Sequence, residues 1–115
     1  MDEGEGTPVL LLHGNPTWSF LYRGVIEHLR TDFRCIAPDL PEFGYSRAPN
    51  DYGYTPQEHA AWIGTLLREL DVEDFILAAQ DWGGPIGLSL AVDRPEQVHG
   101  VVLSNTWCWP PLWDT

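Results

Sequence analysis

The feature that most constrains this chain is a strict alternation between short apolar runs and longer stretches with helical spacing. Val9–Leu12, Phe33–Ala37, Phe75–Ala79 and Val98–Leu103 are compact runs bounded by Gly, Pro or charged residues. Continuous apolar runs of this length fit strands buried on both faces, as in parallel sheets. Between them, Trp18–Leu29 repeats apolar residues at helical intervals, with Leu21, Val25 and Leu29 on one row and Trp18, Tyr22 and Ile26 beside it. Thr55-Pro56-Gln57-Glu58 reads as a capping box with proline at the first helical position, followed by a stripe of Trp62, Ile63, Leu66, Leu67 and Leu70. Gly83-Gly84-Pro85 opens a third helix that Arg94-Pro95 stops near Asp93. The order β-α-β-α-β-α-β predicts an α/β fold with a mainly parallel sheet of about four strands and flanking helices.

Composition narrows the function classes. Six basic against 17 acidic residues give a net charge of −11, which repels phosphate backbones and anionic lipid, so no nucleic-acid or membrane partner is expected. No apolar run approaches the ~18 residues a bilayer span needs, and the acidic, Gly-rich start is unlike a secretory leader, so a cytoplasmic protein is expected. Cys35 and Cys108 are expected as free thiols, and no spacing suits a metal, so neither a metal nor another cofactor is expected.

In open parallel sheets ligands bind beyond the carboxyl ends of the strands. That rule directs attention to 13–18, 80–84 and 104–109. Within the second segment, Ala79-Gln80-Asp81-Trp82-Gly83-Gly84 has the layout of a nucleophile elbow: strand, one polar residue, then small residues opening a helix. The central residue is Asp, not Ser. A serine needs a base before it attacks, whereas a carboxylate, with an ordinary pKa of ~3.9, is already ionised at neutral pH. Such a group displaces a leaving group from sp³ carbon directly and forms an ester, needing a base only for the later hydrolysis. The residues alone leave a second reading open, in which Asp81 merely caps the helix after it.

His13-Gly14-Asn15-Pro16-Thr17-Trp18, QDWGG, Ala37-Pro38-Asp39 and Phe43-Gly44-Tyr45-Ser46 together resemble the haloalkane dehalogenases of the α/β-hydrolase superfamily. The resemblance spans roughly 8–113 and implies a partial α/β-hydrolase fold without the cap domain. It implies Asp81 as nucleophile, Asn15 and Trp82 as halide holders, and their backbone N–H groups as the oxyanion hole. The chemistry agrees: an expelled halide wants donors, and indole N–H is donor-only while an Asn amide offers N–H groups. A small halogenated alkane, water and the halide ion are then the expected partners.

By the same resemblance, His13 is structural, and His28, His59 and His99 are expected at the surface or the core margin. Trp18 and Trp62 are expected in the core. Trp107 and Trp109 either line an apolar pocket or pack against a cap. Asn105 stands where one dehalogenase subgroup carries its catalytic Glu, so the acid, the hydrolytic His and the cap are expected beyond Thr115, and the chain is expected to be an incomplete piece that does not turn over. The expected organisation is a flexible acidic segment at 1–7, a core at 8–106 and the start of a cap region at 107–115. Two other functions share the elbow: an epoxide hydrolase, for which Asn15 is an unusual residue, and a non-catalytic α/β binding module.

Overall fold

The computed structural model describes residues 1–108. It contains β1 (Asp2–Glu3), β2 (Thr7–Leu12), α1 (Arg23–Leu29), β3 (Phe33–Ile36), α2 (Pro56–Glu69), β4 (Phe75–Gln80), α3 (Gly83–Asp93) and β5 (Val98–Ser104), with a 3₁₀ turn at Ser19–Tyr22. The strands form one sheet in the order β1-β3-β2-β4-β5. All pairings are parallel except that of β1 with β3. The alternating pattern thus produces the expected α/β sheet, with a fifth strand added.

That fifth strand corrects the expectation of a flexible segment at 1–7. Asp2 and Glu3 pair with Ile36 and Cys35. Arg34 holds the Asp2 carboxylate through two hydrogen bonds of 3.0 and 2.8 Å, and the Met1 ammonium donates to the Ala37 carbonyl at 2.8 Å. An acidic sequence beside an arginine edge strand is drawn into the sheet by charge and by the unpaired edge of β3.

Period-two alternation divides the core between the two faces of the sheet. Leu10 and Leu12 of β2, with Phe75, Leu77 and Ala79 of β4, bury against Ile63 and Leu67 of α2 and Ile86 and Leu90 of α3. Val9, Leu11 and Cys35 pack on the opposite face around Ile26 of α1. Gly87 allows α3 to lie close to β4, since a Cβ there would come within 2.8 Å of the Leu77 methyls. Both cysteines are free, Cys35 buried and Cys108 exposed. Among the described residues no helix is long and apolar enough to cross a membrane.

Two helical readings need correction. Trp18–Leu29 is not one helix, because the Ser19–Tyr22 turn re-aims the chain before α1 begins. As a result Leu21 and Val25 are exposed, and Ile26, Tyr22 and Leu29 make the contact with the sheet. Trp18 is half-buried rather than core, stacked on Phe20 with 5.4 Å between ring centroids. In α2 the Thr55 hydroxyl caps the Glu58 N–H at 3.1 Å, but the Glu58 carboxylate reaches past the cap to the Gly53 N–H at 2.8 Å. Half of the capping box is therefore spent on ordering the preceding loop. Trp62 packs half-buried on the core.

Register brings the functional segments to one level. Leu12 and Leu103 both stand opposite Ala79, so β2, β4 and β5 end together and release their loops at the same edge. Leu77→Ala is expected to lower unfolding free energy by about 2–5 kcal/mol, because it empties a fully buried site between α3 and β4. Val25→Ala, on the exposed side of α1, is expected to change it by less than about 0.5 kcal/mol. Urea denaturation of both variants checks the burial of Leu77 and the exposure of the Val25 side of α1.

Candidate active site

The site is built around Asp81, at the corner between β4 and α3. Its φ of 54° lies in the left-handed region, which costs a non-glycine residue about 1–3 kcal/mol unless the surroundings hold it. Three contacts hold it. The Asp81 N–H donates to the Asn105 carbonyl at 3.2 Å, the Thr106 hydroxyl donates to the Asp81 carbonyl at 2.6 Å, and that carbonyl also accepts from the Gly84 N–H at 3.0 Å. Glycine is required at both of the first two positions of α3. A Cβ on Gly83 would collide with the Leu12 and His13 carbonyls, and one on Gly84 would overlap Thr106 Oγ1.

This geometry decides against the capping reading of Asp81. The N-cap of α3 is Trp82, which makes no side-chain cap hydrogen bond. The Asp81 carboxylate turns the other way, and its Oδ2 accepts from the Asn15 backbone N–H at 3.1 Å. Gly14 makes room for it, since a Cβ there would stand 2.5 Å from Oδ2. A carboxylate so placed lies where the loop after β2 meets the start of α3.

Asn15 and Trp82 line one cavity of about 230 Å³, together with Gly14, Leu40, Phe43, Tyr54, Pro56, His59 and Ile86. Apolar walls with a few convergent polar groups are the usual make-up of a small-molecule site. Trp107 lines a separate shallow depression with Leu103, Asn105, Thr106 and Cys108, and reaches the cavity through its edge-to-face contact with Trp82 at 5.1 Å. Trp109 lies outside the described residues.

The loops around the cavity are tied by buried polar groups. His13 is fully buried, and its Nε2 accepts the Leu40 N–H at 3.0 Å while Nδ1 faces the Gly14 carbonyl at 2.9 Å. A backbone N–H only donates, so the proton of the neutral ring sits on Nδ1. His13 thus joins the loops after β2 and β3 and has the structural role expected of it. Asp39 makes a second tie, accepting the Ser19 N–H at 2.8 Å and the Tyr45 N–H at 3.1 Å. The Tyr22 hydroxyl donates to the Leu12 carbonyl at 2.7 Å, and burial pushes its pKa up to about 12.

Several of these residues escaped the sequence reading. His59, expected at the surface or core margin, is 6% exposed and lines the cavity, with its Nδ1 2.8 Å from the Tyr52 hydroxyl. Its position facing the sheet on α2, beside Ala60 and Ile63, was the available signal. Thr106 offered none, and Asp39 appeared only within the Ala37-Pro38-Asp39 motif with no role attached, since the value of both comes from contacts between loops distant in sequence. His28 and His99 are exposed, as expected, with His99 2.9 Å from Asp74. Asn105 has a φ of 48° and offers its backbone carbonyl to Asp81. Among the described residues no group of three His, Cys, Asp or Glu side chains could hold a metal ion.

With this corner and its cavity in view, comparison with known proteins is direct. The alpha/beta hydrolase fold family matches residues 7–115. The chain belongs to the α/β-hydrolase fold family. Within it, haloalkane dehalogenase 2 of Mycobacterium tuberculosis is 54% identical over 110 residues, covering 96% of this chain and 38% of that protein. The chain therefore spans well under half the length of this curated relative. Among solved structures, an ancestral haloalkane dehalogenase, AncHLD2, superposes with a TM-score of 0.90 at 35% identity, covering 99% of this chain and 40% of the other. A thermophilic esterase from Thermogutta terrifontis also reaches a TM-score of 0.90, at 29% identity, covering 96% of this chain and 41% of the other. The fold is thus shared by proteins whose names denote different chemistry.

Burial lowers the pKa of His13 and of His59 below the ordinary histidine value. Between those lowered values and the unfolded ~6.5, the unfolded chain binds more protons, so stability rises with pH across that window. Burial alone would raise the Asp39 pKa, but the Ser19 and Tyr45 donors bring it below the carboxylate range, and its contribution is lost only at more acid pH. Melting temperature is accordingly expected to fall as pH drops below about 6.5, and again as it drops below about 3.9. Thermal melts followed by circular dichroism across this range check both stages.

Proposed function

We propose that this α/β-hydrolase carries the alkylating half of a haloalkane dehalogenase site, with Asp81 as nucleophile and Asn15 and Trp82 as halide donors. The observation that carries the proposal is the meeting of all three at one place. The Asp81 carboxylate rests on the Asn15 N–H, and Asn15 and Trp82 both line one apolar-walled cavity. The names of the relatives supply the substrate class, a haloalkane.

In the first step a carboxylate oxygen of Asp81 attacks the carbon bearing the halogen. A C–O ester bond forms as the carbon–halogen bond breaks, and its electron pair leaves on the halide. No proton moves. Neutral N–H donors suit this step, because they stabilise charge only as it develops on the leaving group. The apolar walls, Leu40, Phe43, Pro56 and Ile86, keep water from competing for the carbon.

The second step is hydrolysis of the ester. Water attacks the ester carbonyl, with its oxygen taken up by the backbone N–H groups of Asn15 and Trp82. Alcohol leaves, a proton is released and the carboxylate returns. That step needs a general base, and among the described residues no histidine hydrogen-bonds to Asp81. The whole reaction thus extends past the groups described, whereas the alkylation does not.

Asp at the centre of the elbow favours this reading over a serine-type esterase. Asn15 favours it over an epoxide hydrolase, whose leaving oxygen stays on the product and needs a proton rather than an anion cradle. Incubation with 1-bromohexane is expected to leave one hexyl group on Asp81, seen by intact mass and peptide mapping. Asp81→Asn is expected to abolish the adduct with the fold retained by circular dichroism. A folded protein that stays unmodified, and turns over no haloalkane, would overturn the proposal in favour of a binding module.

A further inference from the structure

The cavity contains a polar side chain that this reading leaves unused. His59 is buried and lines the same cavity as Asn15 and Trp82. The other lining residues are glycine, apolar or neutral polar groups, and none of the arginines lines it. His59 is thus the lining side chain able to acquire a positive charge. Its ring is fixed by the Tyr52 hydroxyl at Nδ1 and by the Tyr54 ring, set edge-on at 6.2 Å. Tyr54 itself is held at a φ of 59°, a costly backbone for an aromatic residue, and lines the cavity beside His59.

We propose that His59 is an anion-holding residue of the cavity, whose protonation tightens the grip on the expelled halide and whose neutral form releases it. The proposal rests on the dehalogenation reading and extends it to product release. While Asp81 is an ester, the halide meets only neutral donors. Once hydrolysis restores the carboxylate, the halide lies near a second negative charge, that of Asp81, which rests on the N–H of the lining residue Asn15. A neutral His59 leaves that repulsion intact and the halide departs. A protonated His59 offsets it and the halide stays. The overall reaction, haloalkane plus water giving alcohol, halide and a proton, produces both species that His59 would bring together.

The groups facing His59 set where this switch lies. Burial disfavours its charged form, the Glu58 carboxylate on its own helix favours that form, and His13 opposes it. Tyr52, from the loop before α2, has its pKa pushed up to about 12 by burial and stays uncharged in the relevant range, while Tyr54 sets its ring edge-on to the imidazole. The net direction keeps His59 neutral at pH 7, so the effect is confined to mildly acid solution.

A unit charge across a cavity of this size changes an anion's affinity on the order of tenfold at the effective dielectric of a protein site. The test uses bromide as the probe, followed by saturable quenching of tryptophan fluorescence at about pH 8 and at the lowest pH where circular dichroism shows the fold intact. Bromide is expected to bind on the order of tenfold more tightly at the lower pH. In His59→Gln, which keeps a hydrogen-bonding group toward Tyr52 but cannot titrate, the two affinities are expected to be equal. Trp82→Phe is expected to lose the saturable quenching at both pH values.

Linkage supplies a second measurement on the unaltered protein. If protonation favours bromide, bromide must raise the His59 pKa by the same factor, read from the imidazole proton shifts by NMR. This measurement decides the matter should His59→Gln not fold. Equal bromide affinity at both pH values, or a His59 pKa unmoved by bromide, overturns this inference and leaves the halide site standing. Absence of saturable binding at either pH overturns the inference and the halide-holding reading together.

Discussion

A single backbone corner organises the molecule. Asp81 is held in a left-handed conformation by the Asn105 carbonyl, the Thr106 hydroxyl and the first turn of α3. Every nearby requirement follows from that hold. Gly83 and Gly84 are small because Leu12, His13 and Thr106 press on the turn, and Gly14 is small because the carboxylate swings over it. The parallel register of β2, β4 and β5 brings those partners to the same level, so the sheet is the device that turns three distant segments into one site.

Much of this was legible in the residues. Apolar runs of strand length separated by helical spacing gave the α/β architecture, because burial on both faces of a parallel sheet leaves that signature. The elbow was legible because its steric demands restrict residue types: Asp81 between a strand and two glycines has few structural explanations. What stayed hidden depends on contacts between separated segments. Nothing local announces that Thr106 grips Asp81 or that Asp39 ties Ser19 to Tyr45. The Ser19–Tyr22 turn shifted the buried face of α1 by a fraction of a turn, enough to expose Leu21 and Val25 where spacing alone placed them inward. The strand at Asp2–Glu3 was concealed because its pairing rests on Arg34, a charge partner with no periodic signature.

The comparisons sharpen the division between scaffold and chemistry. Named dehalogenases and a named esterase superpose on this chain equally well, so the fold by itself does not select a reaction. In the proposed reading, selection rests on a few side chains at the end of the sheet. A carboxylate at the corner, with an amide and an indole beside it, suits displacement at saturated carbon and subsequent care of an anion.

The tie made by Asp39 has a mechanical consequence. One carboxylate accepts donors from the segment that follows Asn15 and from the segment that follows Leu40, so these two walls of the cavity are braced against each other. A guest pressing on one wall must also strain the other, and the cavity therefore resists widening on either side alone. The brace itself lies away from the cavity, at Asp39, Ser19 and Tyr45.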